Sequence, residues 1–321
     1  MLKYPSIEQY RNVIRTVKTN HDYQGKDEEG NAIYQHLSDY PTLTFKGTVK
    51  LHGTNAAIVK YKDRIEYQSR ERVLELTSDN AGFMLAMSGK NTDFLFKGIN
   101  FQESIAVYGE WCGGSIQKGV ALNKLPKMFV IFGIMVDDTW IDSSMYTAQD
   151  NSQGIYNINQ FPTYTVEIDF NNPESIQNTL IDLTIAVEEC CPVGKHFGVE
   201  GIGEGIVFTC TTNPLLKFKS KGEKHSSSKV KSLNPVDTEE VESIKEFVEY
   251  AVTENRLQQG LESLKSNGIE LSEKSTGDFI RWIVTDIIKE ESDTIVKNQI
   301  DIKKANGKIA FKAKTWFFNN I

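Results

Sequence analysis

Only four cysteines occur in the 321 residues, and no apolar run is long enough to cross a membrane. Cys190 and Cys191 are adjacent, Cys112 and Cys210 stand alone, and there is no C-x-x-C pair. That pattern argues against a disulfide framework or a thiolate zinc site and for reduced, partly buried thiols. The opening residues Met1-Leu2-Lys3-Tyr4-Pro5 lack the hydrophobic block and cleavage site of a secretory signal, so a cytoplasmic protein with no membrane partner is expected. Internal repeats and long low-complexity tracts are also lacking. Nor is positive charge in excess: 36 Lys and Arg face 43 Asp and Glu, a net charge of −7. This argues against an indiscriminate nucleic-acid binder but leaves room for a local basic surface.

What is present suits a soluble globular chain: 39% apolar and 25% charged residues, over a length that accommodates two domains of roughly 150 residues. Ser6 followed by Gln9 reads as a capping box, with Ile7, Tyr10, Ile14 and Val17 at helical spacing behind it. The polar stretch from Asn20 to Asn31 reads as a loop. Short alternating or β-branched segments then predict strands at 42–49, 56–61, 65–68, 105–108, 128–136, 163–169, 205–209 and 215–219. Asn172 and Pro173 open a helix whose apolar face is Ile176, Leu180, Leu183 and Val187. Between Leu215 and Lys231, Lys217, Lys219, Lys221, Lys224, Lys229 and Lys231 face the single acid Glu223. Alternation with Leu216 and Phe218 predicts a strand with lysines on one side.

The character changes near Pro235. Thr238, Val241, Ile244, Phe247, Val248 and Ala251 predict an amphipathic helix. Leu257, Leu261 and Leu264 predict a second, ending near Gly268, and Phe279, Ile280, Ile283 and Ile287 a third. Ser226-Ser227-Ser228 and Asn234-Pro235 read as linker residues on the approach. The expected fold class is therefore α+β: antiparallel sheets with packed helices over residues 1–234, then a small all-α domain over 235–321. Trp282, Trp316, Phe317 and Phe318 are assigned to packing that second domain.

The sharpest feature is Lys50-Leu51-His52-Gly53-Thr54-Asn55, set between two predicted strands. A fixed K-x-H-G-T-N string arises by chance in such a chain with odds on the order of one in ten thousand at equal residue frequencies. Gly53 permits a tight turn and close approach of a phosphate to backbone. A strand end holds Lys50 rigidly, and Thr54 and Asn55 add polar groups.

This string resembles the nucleophile motif of the RNA ligase 2 family, which includes phage ligases and mitochondrial RNA-editing ligases within the covalent nucleotidyltransferases. DNA ligases usually carry Asp where this chain has His52. Further motifs follow in family order. Ser69-Arg70 resembles the downstream Arg motif, and Tyr108-Gly109-Glu110 the motif whose Glu contacts the AMP ribose. Phe129 to Phe132 resembles the segment whose aromatic stacks on adenine, a role aligned to Phe132. Glu204-Gly205-Ile206-Val207 and Lys219-Ser220-Lys221 resemble the two last motifs, the lysines of the second contacting the α-phosphate. The resemblance runs from Lys50 to Lys221 and more weakly through the helical tail. Departures are Val49 where phage members often carry Glu, the continuation Trp111-Cys112-Gly113-Gly114-Ser115, and the stretch Gly222 to Ser226. They bear on substrate preference more than on adenylylation.

The resemblance implies a nucleotidyltransferase catalytic domain of ATP-grasp-like ligase type, with ATP as cosubstrate and Mg²⁺ or Mn²⁺. It implies an ATP-dependent RNA ligase in three steps: lysyl-AMP on Lys50, transfer of AMP to an RNA 5′-phosphate, and attack by a 3′-hydroxyl. His52 serves the first step, and Asn55 and Arg70 bind the 5′-phosphate. The implied partner is RNA, in particular a nicked duplex gripped by the helical tail. A phage-encoded repair enzyme acting as a monomer is the corresponding expectation.

The chemistry explains the residue types. An ordinary Lys is only about 0.1% neutral near pH 7.4, so a nucleophilic Lys must be activated. Lys219, Lys221 and a metal near Lys50 favour its neutral form and stabilise charge on the α-phosphate. Glu204 is the expected ligand of the metal or its waters; without the metal, a carboxylate beside Lys50 opposes activation. Taken singly, each residue has a plainer explanation, such as Lys50 as a solvated strand end, Phe132 as core or Arg70 as half of a surface ion pair. Two alternatives stay open: a DNA ligase or capping-type enzyme on the same scaffold, and a non-catalytic RNA-binding platform.

Overall fold

The computed structural model describes residues 1–117, 119–222 and 244–321. A two-residue strand β1 (Glu8–Gln9) leads into α1 (Tyr10–Asp22) and a hairpin of β2 (Tyr23–Lys26) and β3 (Ala32–Tyr34). Then come β4 (Thr42–Lys50), β5 (Gly53–Tyr61), β6 (Ile65–Ser69), α2 (Phe83–Ser88), β7 (Ser104–Cys112) and β8 (Met128–Val136). They are followed by β9 (Thr139–Ile141), β10 (Ile155–Asn157), β11 (Thr163–Asp169), α3 (Gln177–Glu189), α4 (Pro192–His196), β12 (Gly205–Cys210) and β13 (Lys217–Lys221). Helices α5 (Ile244–Ala251), α6 (Glu254–Ser266), α7 (Thr276–Glu290), α8 (Ser292–Lys297) and α9 (Ile302–Phe318) complete the described chain.

The strands form a five-stranded sheet in the order β1-β13-β12-β4-β11 and a six-stranded sheet in the order β10-β8-β7-β5-β6, with β9 paired to β8. Pairing is antiparallel except where β1 runs parallel to β13 and β10 to β8. The observed class is thus α+β with largely antiparallel sheets, as expected. The chain crosses between the sheets at Leu51-His52, because β4 belongs to the first and β5 to the second.

Alternation along each strand sorts its side chains between core and cleft. On β13, Phe218 is fully buried against Tyr10, Phe45 and Phe208, with ring centroids 4.9, 5.4 and 5.0 Å away. Burying a side chain of that size is worth about 2–3 kcal/mol. Its neighbours Lys217, Lys219 and Lys221 therefore point to the opposite face. Lys219 and Lys221 line a cleft on that face, and all three lysines are buried or half-buried and not solvated.

Several expectations need correcting. The helix predicted from Ser6 starts at Tyr10, and its N-cap, Gln9, makes no capping bond. Gln9 instead spends its amide on Glu290, a partner invisible to local spacing. The predicted loop at Asn20 to Asn31 is partly helix and partly hairpin. Asn172 makes no side-chain cap for the segment at Pro173, which begins as a 3-10 turn before α3. Gly53 lies within β5, not in a turn; a Cβ there would sit 2.4 Å from the Trp111 carbonyl oxygen of β7. Lys224, Lys229, Lys231, the Ser226–Ser228 and Asn234-Pro235 linker residues, Thr238, Val241 and the expected division at 234/235 lie outside the described residues.

The C-terminal helices enclose their own core of Phe247, Leu261, Phe279, Ile283 and Phe317. Phe279 stacks on Phe317 at 4.5 Å, while Phe318, expected in the packing, is 42% exposed. Arg256 is fully buried in this bundle and donates to Asp286 and Glu291 at 2.7 and 2.8 Å. The bundle meets α1 through Arg15–Asp293 at 2.9 Å and β1 through Lys289–Glu8 at 3.1 Å. Among the described residues, no helix is long and apolar enough to cross a membrane.

Candidate active site

Register places the site. Gly205 of β12 pairs with Lys50 of β4 on one side and Lys221 of β13 on the other, so these three positions form one row across the sheet. Glu204, immediately before β12, lies between the two lysines. Its Oε2 accepts from Lys50 Nζ at 2.8 Å, and His52 Nδ1 stands 3.2 Å from the same oxygen. Its Oε1 meets Lys221 Nζ at 3.0 Å. Glu204 is 3% exposed, whereas Lys50 and His52 keep about a fifth of their side-chain surface. Burial alone would raise the Glu204 carboxyl; Lys50, Lys221 and His52 outweigh it and hold the acid well below the usual carboxylate range. Lys221 is likewise opposed by burial yet raised on balance by Glu204.

Lys219 lies one pleat along β13, donating to Glu290 of α7 at 3.3 Å. Burial depresses this lysine, and the charge of Glu290 only partly restores it. Lys217 is more deeply buried and is pushed down to about 8. It donates to the Tyr4 hydroxyl at 2.9 Å.

The second sheet supplies the facing wall. Asn55 pairs with Glu110 across β5 and β7. Burial pushes the Glu110 carboxyl up to about 7, with Lys50 opposing and Glu204 reinforcing the shift. Between β7 and β8 the register slips: Tyr108 faces Gly133 and Gly109 faces Ile131, leaving Phe132 as the extra residue of a bulge. A bulge re-aims a side chain, and Phe132 lines the cleft with Tyr4 edge-on at 5.0 Å. Thr54 is fixed by the amide of the buried Asn80, 2.9 Å away. Arg70 stands half exposed at the rim, 3.9 Å from Glu71.

All nine residues singled out from the sequence, Lys50, His52, Asn55, Arg70, Glu110, Phe132, Glu204, Lys219 and Lys221, line one cleft of about 1600 Å³. The structure joins Lys50, His52, Glu204 and Lys221 in direct contact; Arg70 stays apart at the rim. Sequence reasoning missed Tyr4, Lys217 and, from the helical bundle, Glu262, Trp282, Asp286 and Glu290, which line the same cleft or buttress it. Lys217 carried a signal, since it shares the i, i+2 spacing of Lys219 and Lys221. Glu290 carried none, because its approach depends on how the bundle docks.

This arrangement offers cations for phosphate, an aromatic face beside a half-buried acid, and an amine held by a carboxylate. The RNA ligase family model matches residues 44–231, more than half of the chain. Among solved structures, a Naegleria gruberi RNA ligase with PPi is similar at 20% identity and TM-score 0.46, over 70% of this chain and 56% of that one. A mutant of the Naegleria gruberi ligase with ATP and Mn gives 19% identity and TM-score 0.47, over 70% and 57%. The matched region therefore spans little more than half the length of those ligases. No curated protein matches the chain.

Proposed function

Because the chain belongs to the RNA ligase family, we propose that it is an ATP-dependent RNA ligase joining 3′-hydroxyl and 5′-phosphate ends, with nicks in duplex RNA as substrate. The observation that carries this reading is the Lys50–Glu204–Lys221 row at the floor of the cleft, with contacts of 2.8 and 3.0 Å. Lys50 is the nucleophile. To act, its amine must lose a proton and leave Glu204. Lys221, on the other carboxylate oxygen, keeps that buried acid paired when Lys50 departs, which lowers the cost of the exchange. The bond formed is Lys50 nitrogen to α-phosphorus, the bond broken joins the α-phosphate to pyrophosphate, and the product is lysyl-AMP. His52, 3.2 Å from Glu204, serves this step.

Phe132, braced by Tyr4, is the platform for adenine, and Glu110 holds the ribose. Lys219 and Lys221 take the α-phosphate, where fixed positive charge stabilises the charge that builds during transfer. Glu204 offers one buried carboxylate facing the cleft, which suits Mg²⁺ or Mn²⁺ arriving with a nucleotide, since such ions need only one or two protein carboxylates beside phosphate oxygens. Such an ion would be held by Glu204 directly or through water and supplies positive charge at the phosphates.

Asn55 and Arg70 bind the RNA 5′-phosphate in the later steps; a half-exposed guanidinium at the rim suits a ligand that enters from outside. Residues 1–234 form the adenylyltransferase unit, and the helical unit 235–321 helps hold the duplex. Sealing of a nicked RNA duplex and of a pre-adenylylated nick tests the reading. Arg70→Ala is expected to keep adenylylation and to seal pre-adenylylated nicks at least tenfold more slowly. Equal sealing would contradict the phosphate role, and no sealing of any RNA by the wild type would contradict the function.

A further inference from the structure

Outside the cleft, one cluster of side chains is arranged for a different chemistry. α1 ends with His21 and Asp22, the β2–β3 hairpin intervenes, and the returning chain brings His36 back to the helix end. The Gln35 amide donates to the Asp22 carbonyl at 2.7 Å, closing the loop. Asp22 Oδ1 then lies 3.4 Å from His21 Nδ1 and 3.0 Å from His36 Nδ1. One nitrogen of each imidazole and one carboxylate oxygen all fall within 4.8 Å of one another. None of the three residues lines the cleft.

We propose that His21, Asp22 and His36 form a binding site for a zinc-class divalent metal ion. Zinc takes imidazole nitrogen and carboxylate oxygen at about 2.0–2.2 Å, so neighbouring ligand atoms in a tetrahedron lie about 3.3 Å apart. The two contacts to Asp22 Oδ1 bracket that spacing. The surrounding residues leave the ligand atoms available and fix their direction, as outer partners of metal ligands do. The Tyr40 hydroxyl donates to Asp22 Oδ2 at 3.0 Å, leaving Oδ1 for the ion. The Ser38 hydroxyl is 3.3 Å from His21 Nε2, leaving Nδ1. The His36 ring packs against Tyr40 with centroids 4.5 Å apart.

Two imidazoles and one carboxylate favour zinc, nickel or cobalt over magnesium, which prefers all-oxygen ligands. The scarcity of paired cysteines excludes only a thiolate site. Three protein ligands leave a fourth position for water. An ion here would clip the end of α1 to the segment that leads into β4, the strand carrying Lys50. The plainer alternative is a carboxylate hydrogen-bonded to two histidines, with no affinity for metal.

Calorimetric titration of metal-stripped, full-length protein with Zn²⁺ alone separates the two. The wild type is expected to bind one equivalent that His36→Ala loses or binds at least tenfold more weakly, and Zn²⁺ is expected to raise the melting temperature of the wild type only. His36 is 50% exposed, so its removal leaves the fold intact, which circular dichroism checks; His36→Gln serves as a second variant. Excess Mg²⁺ is expected to leave the isotherm unchanged. Identical Zn²⁺ isotherms and melts for wild type and both variants, or displacement of the ion by Mg²⁺, would overturn the proposal. The outcome is independent of ligase activity.

Discussion

Glu110 and Glu204 stand in the same cleft and are driven in opposite directions. Glu204 is held charged by Lys50, Lys221 and the hydrogen bond with His52, whereas Glu110 is governed by burial and carries its proton up to about pH 7. A raised carboxyl binds its proton more tightly in the folded state, so its stabilisation is complete below the ordinary value of 4.5 and is lost as pH rises through about 7. Glu110→Gln cannot titrate. Its unfolding free energy relative to wild type should therefore improve by about 1–3 kcal/mol between acidic and mildly alkaline pH, measured by denaturant titration at each. A difference independent of pH would mean that Glu110 is ordinary. At this scale much of the site was legible, because the residues from Lys50 to Asn55 form a local string whose chemistry is carried by residue type. Tyr4 and Glu290 were not legible: each matters through a neighbour far away in sequence, Phe132 for one and Lys219 for the other.

Strands matter here through register. Gly205 sits at φ +149°, and a Cβ there would stand 2.0 Å from the Ser220 carbonyl oxygen on β13. Gly205→Ala must push β12 from β13 at the row that sets Lys50, Glu204 and Lys221. A stability loss on the order of 3 kcal/mol is expected, together with slower adenylylation. An unchanged melt would show that the row tolerates the shift. The strands at 128–136 and 163–169 are legible in the sequence to the residue, since alternating or continuous apolar runs bounded by polar turns report burial directly. α8 and α9 are not legible in the sequence. The pattern of α9 is diluted by exposed Phe311 and Phe318, so its buried stripe of Ala305, Ile309, Ala313 and Phe317 is half alanine. β1 escaped because two residues carry no period.

Across the whole molecule, acids of the helical bundle face lysines of the five-stranded sheet. Glu290 holds Lys219 at 3.3 Å, and Asp286 and Glu262 line the same cleft. A carboxylate on Lys219 competes with the phosphate assigned to that lysine. Glu290→Gln should therefore tighten ATP binding several-fold, roughly 1 kcal/mol, in a calorimetric titration; weaker binding would show that Glu290 orients Lys219 for phosphate. Composition and patterning made the change from sheets to helices legible, but not how the bundle docks. Covalent adenylylation of Lys50 is the step on which the proposed activity rests. The direct measurement is peptide mass spectrometry of protein freed of bound nucleotide, then incubated with ATP and Mg²⁺. An AMP adduct on the peptide carrying Lys50, absent in Lys50→Ala, is the predicted result. A folded wild type that carries no adduct, or carries it on another lysine, would contradict the account.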